Sequence, residues 1–144
     1  MLAGGNKVSI TTQVNVEPTH ILITCAGSYD QTEAEQIFCM AFETAARQKV
    51  QRLLFDCRKV TGELSTMDRF DLAEYVSMLV LERTDAESVR IAIVGDEPLV
   101  DPSRFGETVA VNRGVTGKVT TDLNEAMEWL GIHSAHKAME RDEE

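Results

Sequence analysis

Apolar and polar positions alternate from Val8 to Val16, with Val8, Ile10, Thr12, Val14 and Val16 on one side. A period of two is that of a half-buried β-strand. Glu17-Pro18-Thr19 breaks it, and His20–Ala26 follows with the continuous apolar core Ile21-Leu22-Ile23. So short a link predicts an antiparallel hairpin. Past Gly27 the period changes. Ile37, Phe38, Ala41, Phe42 and Ala45 recur at helical spacing over Gln31–Gln48. Asp30 with Glu33 is a helix-start box in front of them.

The alternation of element types then repeats. Arg52–Cys57 reads as a third strand, its run Leu53-Leu54-Phe55 ending in Asp56 where the chain reaches the edge of a sheet. A turn at Gly62 leads to a helix from Thr66 to Glu82, opened by Ser65, with Leu72, Ala73, Val76, Leu79 and Val80 on one stripe. Val89–Val94 is a fourth strand. Asp101-Pro102 reads as an N-cap followed by the first helical residue. Phe105 and Val109 are expected to face inward on that helix, and Gly114 to lie past its end. Lys118–Thr121 is a fifth strand. Asp122 with Glu125 starts a last helix bearing Leu123, Ala126, Met127 and Leu130, which Gly131 stops. The order ββαβαβαβα, with helices between successive strands, predicts an α/β domain with a mostly parallel five-stranded sheet, an antiparallel first hairpin and four helices. The domain is expected over 1–132, followed by a polar, charged tail over 133–144.

Composition narrows the functions open to such a domain. At 144 residues the chain can bury a core without disulfides or metals. Its net charge of −10 disfavours non-specific binding to nucleic acid or to an anionic membrane surface. No apolar run has the length of a membrane span. The N-terminus lacks the basic and apolar regions of a secretory signal, so a cytoplasmic location is expected. Cys25, Cys39 and Cys57 form no C-x-x-C pair and read as small buried hydrophobes in a reducing compartment. His133, His136 and Glu140 share a face if the tail is helical, but read as solvated residues rather than a metal site. No motif asks for a cofactor.

The segments LLFDCRKVTGELS at 53–65, RIAIVG at 90–95, FGETVAVNRG at 105–114 and KVTTDLNEAMEWL at 118–130, taken with the order of elements, resemble the STAS superfamily of sulfate transporters and anti-sigma-factor antagonists. The closer likeness is to its SpoIIAA-like group of small stand-alone bacterial proteins. The resemblance implies a non-catalytic protein-interaction module. In its signalling members a serine after an aspartate caps the second helix and is phosphorylated by a partner kinase. Ser65 holds that position, making it the candidate phosphosite. Leu64 stands where the aspartate is expected, and Thr66-Met67 replace the Ser-Gly that follows it. From the residues alone, Ser65 has a sufficient structural role as a helix cap.

The carboxyl ends of parallel strands gather on one edge, where binding sites in such sheets lie. There the candidate binding residues are Arg58, Lys59, Ser65, Asp68, Asp96 and Asp101. The acids among them favour a neutral or cationic partner over a phosphate. A protein partner is the first expectation, and a homodimer using Trp129 and Val111 the second. The alternative is a carrier of a small apolar ligand, as in members of this fold group that resemble lipid-binding domains, with Met40, Phe42, Phe70, Met78 and Leu81 as candidate pocket residues. Catalysis has little support: none of the three histidines falls near Ser65 or Cys57 in sequence.

Overall fold

The computed structural model describes residues 8–82 and 89–132. Its elements are β1 (Ile10–Val16), β2 (Ile21–Ser28), α1 (Gln31–Gln48), β3 (Arg52–Thr61), α2 (Thr66–Glu82), β4 (Arg90–Val94), α3 (Phe105–Asn112), β5 (Thr116–Thr120) and α4 (Leu123–Leu130). They form the expected ββαβαβαβα order. The strands lie in one sheet in sequence order, with β1 antiparallel to β2 and every later pair parallel. Right-handed crossovers between strands laid down in one direction put every connecting helix on the same face. Hence α1, α2 and α3 cover one face, and α4, which follows the last strand, covers the other.

The strand pattern encodes this two-sided burial. Leu53 and Phe55 of β3, with Ile91 of β4, belong to the core beneath the helix layer. Their neighbours Leu54, Ala92 and Val94 point the opposite way and pack with Ala126, Leu130 and Ile132. Successive residues of a strand face opposite sides, so a strand buried on both faces reads as a continuous apolar run. Phe38 from α1 meets Phe55 with ring centroids 4.5 Å apart, joining the helix layer to the sheet.

The helix starts hold, with two diversions. Asp30 accepts from Glu33 N–H at 2.9 Å, but the Glu33 carboxylate turns away to accept from the backbone of Ser9 and Ile10, pinning the start of β1. Asp122 caps α4, while Glu125 bonds to the Thr120 hydroxyl instead of closing the box. Gly131 ends α4 in the left-handed conformation, as expected.

Several boundaries differ from the sequence reading: β1 starts at Ile10, β2 runs to Ser28 and β5 spans Thr116–Thr120, and two further differences bear on the site. β3 continues to Thr61 instead of ending at Cys57, so Arg58 and Lys59 lie within a strand. A bulge explains it: Thr24 pairs with Asp56 and Ala26 with Lys59, leaving Cys57 and Arg58 together opposite Cys25. α3 begins at Phe105 rather than Pro102, because Asp101 to Arg104 close a turn first. Phe105 and Val109 are only half-buried, and no α3 residue is fully buried. The tail, with His133, His136 and Glu140, lies outside the described residues.

Gly27 closes the hairpin against the chain entering β1. Its φ is +128°, and a Cβ there would stand 2.1 Å from the Ser9 carbonyl oxygen. That oxygen already accepts from Ser28 N–H at 3.0 Å and cannot retreat freely. Gly114 also has positive φ, at +96°, but open space around it. Gly27→Ala should therefore cost about 3 kcal/mol or more, and Gly114→Ala about 1 kcal/mol. Urea unfolding of the two variants checks this; equal losses would mean that the Ser9 contact is not a constraint.

Candidate functional site

The carboxyl edge of the sheet is built around the start of α2. Ser65 Oγ accepts from Asp68 N–H at 3.0 Å, and the Asp68 carboxylate accepts from Ser65 N–H at 3.3 Å. This reciprocal capping box holds two N–H groups that the helix itself leaves unpaired. Ser65 remains exposed while doing so.

Two side chains outside the sequence-derived set anchor this start. Gln31, in the first turn of α1, donates to the Asp68 carbonyl at 3.3 Å and accepts from the Tyr29 hydroxyl at 2.6 Å. Arg69 donates to the carbonyls of Leu99 at 2.9 Å and Pro98 at 3.0 Å. It thereby fastens α2 to the loop before α3. Tyr29 is half-buried, and burial together with the nearby carboxylate of Asp68 holds its phenol well above the ordinary value. Tyr29 therefore acts as a neutral hydrogen-bond donor. Neither Gln31 nor Arg69 carries a sequence signal, since a polar residue in a first helical turn is ordinary.

Asp101 belongs to the same side. Its carboxylate accepts from the Ser103 hydroxyl at 2.5 Å and from Phe105 N–H at 3.1 Å, which holds its pKa below the usual range. It thus caps α3 from beyond the turn. Arg104, held at φ 57°, donates to the carbonyls of Asp101 and Val119 and ties that turn to β5.

The remaining candidates stand elsewhere. Asp56 shares the parity of Leu54, so its carboxylate is on the α4 face. Arg58 grips it with two bonds, at 2.9 and 2.8 Å. Asp96 is near enough to raise the Arg58 pKa further. Lys59 is exposed and lowers the Asp56 pKa only through space. The six candidates therefore divide into Ser65, Asp68 and Asp101 on the helix side, and Arg58, Lys59 and Asp96 about Asp56. With Arg58 engaged by Asp56, this second group offers little to a phosphate.

Between the helix layer and the sheet lies an apolar cavity of about 180 Å³. Phe55, Ile91 and Ile93 of the sheet and Leu72, Ala73 and Val76 of α2 form much of its wall. Cys25 and Cys57 also line it. None of the pocket residues expected from sequence does. Phe42 is spent in the core, Met78 and Leu81 are exposed, Met40 is half-buried, and Phe70 lies under the Arg113 guanidinium at 5.1 Å. Helical spacing alone could not tell an outward stripe of α2 from the inward one.

Trp129 is half-buried, with the Arg90 guanidinium 4.6 Å above its ring and donating to its carbonyl at 2.8 Å. That arrangement uses it in packing. Val111 is exposed. Among the described residues no helix is long and apolar enough to cross a membrane, and no group of His, Cys, Asp and Glu is placed to hold a metal ion.

A sheet of this order, with three helices on one face and one on the other, is the architecture of the STAS-like fold. A solved structure described as an anti-sigma factor antagonist from Mycobacterium paratuberculosis matches it with a TM-score of 0.56, over 85% of this chain and 94% of that one, at 15% identity. The protein thus has a STAS-like, SpoIIAA-like fold. No family model matches the sequence, and no curated protein does.

Arg58 holds the Asp56 carboxyl below its ordinary range, and partial burial opposes this. A depressed carboxylate contributes stability above the unfolded value near about 3.9. That contribution is lost as pH falls through the lower folded value. Because Arg58 is 45% exposed, the pair is worth under about 1 kcal/mol after screening. Asp56→Asn should be less stable than wild type at pH 7, with the gap closing as pH falls below the unfolded carboxylate value of about 3.9. A gap in urea unfolding that stays constant over that range would remove the ion pair as its cause.

Proposed function

We propose that the protein is a non-catalytic regulatory module that docks a partner protein through the start and outer face of α2. The observation carrying this reading is an apolar flank left uncovered beside the Ser65 cap. Met67, Met78 and Leu81 are 64%, 54% and 76% exposed. At about 100° per residue, Met78 and Leu81 fall within roughly 40° of Met67 around the helix axis. Asp71 and Glu74 share that side. A matching partner surface is apolar, so a charge added beside Met67 has to be desolvated on contact. The platform is rigid, since Gln31 and Arg69 fasten the first turn on either side. The likeness to an anti-sigma factor antagonist agrees with such a role. The non-catalytic reading rests on Ser65 Oγ serving the cap, with His20 at the start of β2, the opposite edge of the sheet.

A charge at Ser65 is the modulation this arrangement offers. Phosphate or carboxylate there meets the Asp68 carboxylate, which already accepts from Ser65 N–H. Aspartate caps helices as well as serine does, whereas alanine does not. Ser65→Ala should therefore lose about 1 kcal/mol of stability and bind the partner nearly as wild type. Ser65→Asp should keep a capping oxygen, lose no more stability than Ser65→Ala, and weaken the complex about tenfold or more. Titration against a partner recovered by co-purification separates the two. Identical affinities for both variants exclude a switch at Ser65, and unchanged affinity in Leu81→Lys excludes the α2 face.

The cavity favours a second reading, a carrier of a small apolar molecule. Dry cavities of about 150 Å³ lined by aliphatic and aromatic groups take up benzene-sized molecules. The charged groups at its rim are engaged: Arg69 and Arg104 by backbone carbonyls, Lys118 by Glu125, and Glu107 by Val119 N–H. Among the described residues of the rim no free cation is left for a carboxylate, so the ligand is uncharged. Indole or toluene should raise the melting temperature, while the cavity-filling variant Ala73→Leu should be indifferent to either. No shift at saturating probe would remove the carrier reading.

A further inference from the structure

Cys25 and Cys57 stand on adjacent parallel strands at the bulge where β2 and β3 fall out of step. Both point to the helix layer and line the cavity. The nearness of the two thiols draws Cys25 below the ordinary thiol value and, with burial, pushes Cys57 up. Neighbouring strands run about 4.8 Å apart. A disulfide spans roughly 4.4–6.8 Å between Cα atoms, so the backbone need not move far to be bridged. Cys39 stands apart on α1, its thiol directed at Glu43 at 3.8 Å. All three thiols are free.

We propose that Cys25 and Cys57 form a reversible oxidation site, closed to an intramolecular disulfide by a small uncharged hydroperoxide that enters through the cavity. A thiol sealed in a close-packed interior is inert. Here the cavity brings an oxidant to the sulfur, and its apolar wall selects one without charge. The Cys25 sulfur attacks the terminal peroxide oxygen and the O–O bond breaks. The leaving alkoxide takes the thiol proton and departs as the alcohol. The resulting sulfenic acid is attacked by the Cys57 sulfur. The S–O bond breaks, and hydroxide takes the Cys57 proton and leaves as water. Two thiols lose two electrons and two protons, and the hydroperoxide gains both. The bridge ties β2 to β3 beneath the cavity. Closure of the bridge requires no docking through α2.

The test uses the native full-length protein and tert-butyl hydroperoxide, followed by alkylation, intact mass and a non-reducing peptide map. The expected product is a monomer lighter by two hydrogens, with free thiols reduced from three to one and a Cys25–Cys57 linked peptide that dithiothreitol releases. Cys39→Ser should give the same bridge, and Cys57→Ala none. Closure should be about tenfold or more faster in the folded protein than in guanidinium chloride, since only the fold holds the sulfurs together. Oxidation confined to Cys39, or single-sulfur sulfinic acids at Cys25 or Cys57 without a bridge, overturns the proposal. So does a bridge that forms no faster in the folded chain.

Discussion

Burial of β3 on both faces is the constraint that the other elements satisfy. Leu53 and Phe55 need a cover on one side and Leu54 on the other. One layer cannot supply both. The crossover helices fill the first face because their handedness leaves no choice, and α4 fills the second because it follows the last strand. Fully burying a side chain such as Phe55 or Leu54 is worth about 1.5–3 kcal/mol. A register slip by one residue would exchange the two sets and place Asp56 beneath the helices. The pairing of β3 with β2 and β4 is therefore the most strongly specified feature of the sheet.

The carboxyl edge inherits its order from that register. Capping geometry holds the start of α2, and the Gln31 and Arg69 bonds fix it relative to α1 and to the loop before α3. These are bonds to backbone carbonyls, so they fix the position of the main chain directly. The exposed groups beside them, Ser65 and Met67, are thus held on a frame that need not reorganise on contact. Preorganisation of this kind lowers the ordering cost of association.

Element order, both buried stripes of the sheet and the caps of α1, α2 and α4 were legible in the sequence, because each rests on local periodicity or on one side chain bonding a nearby N–H. The misread places have a common cause. At Arg58-Lys59 the alternation of β3 breaks, and a broken alternation reads as the end of a strand. In fact the bulge shifts the parity: Phe55 and Cys57 face the helices, and so does Val60. Asp101 does cap α3, but through a turn whose closure depends on Arg104 reaching β5. Gln31 and Arg69 escaped notice because their partners are carbonyls of remote segments. The cavity wall was misplaced because the outer side of α2 is nearly as apolar as its inner side.

The bulge also joins features that otherwise look unrelated. In a regular strand continuing past Cys57, Lys59 would face the helix layer and Val60 the solvent. The extra residue reverses this. Val60 enters the wall of the cavity, Arg58 is left on the α4 face within reach of Asp56, and Cys57 stays beside Cys25. β4 ends at Val94, so past Asp56 the strand has only β2 for a partner. A stretch paired on one side is the natural place for such a defect, since fewer ladder bonds are lost there. It also adjoins the turn that presents Ser65. Any event that altered the bulge, whether a ligand in the cavity or a bond between the thiols, would act on the strand feeding directly into the α2 cap. The cavity and the outer face of α2 are in this sense two sides of one helix, with β3 as the element common to both.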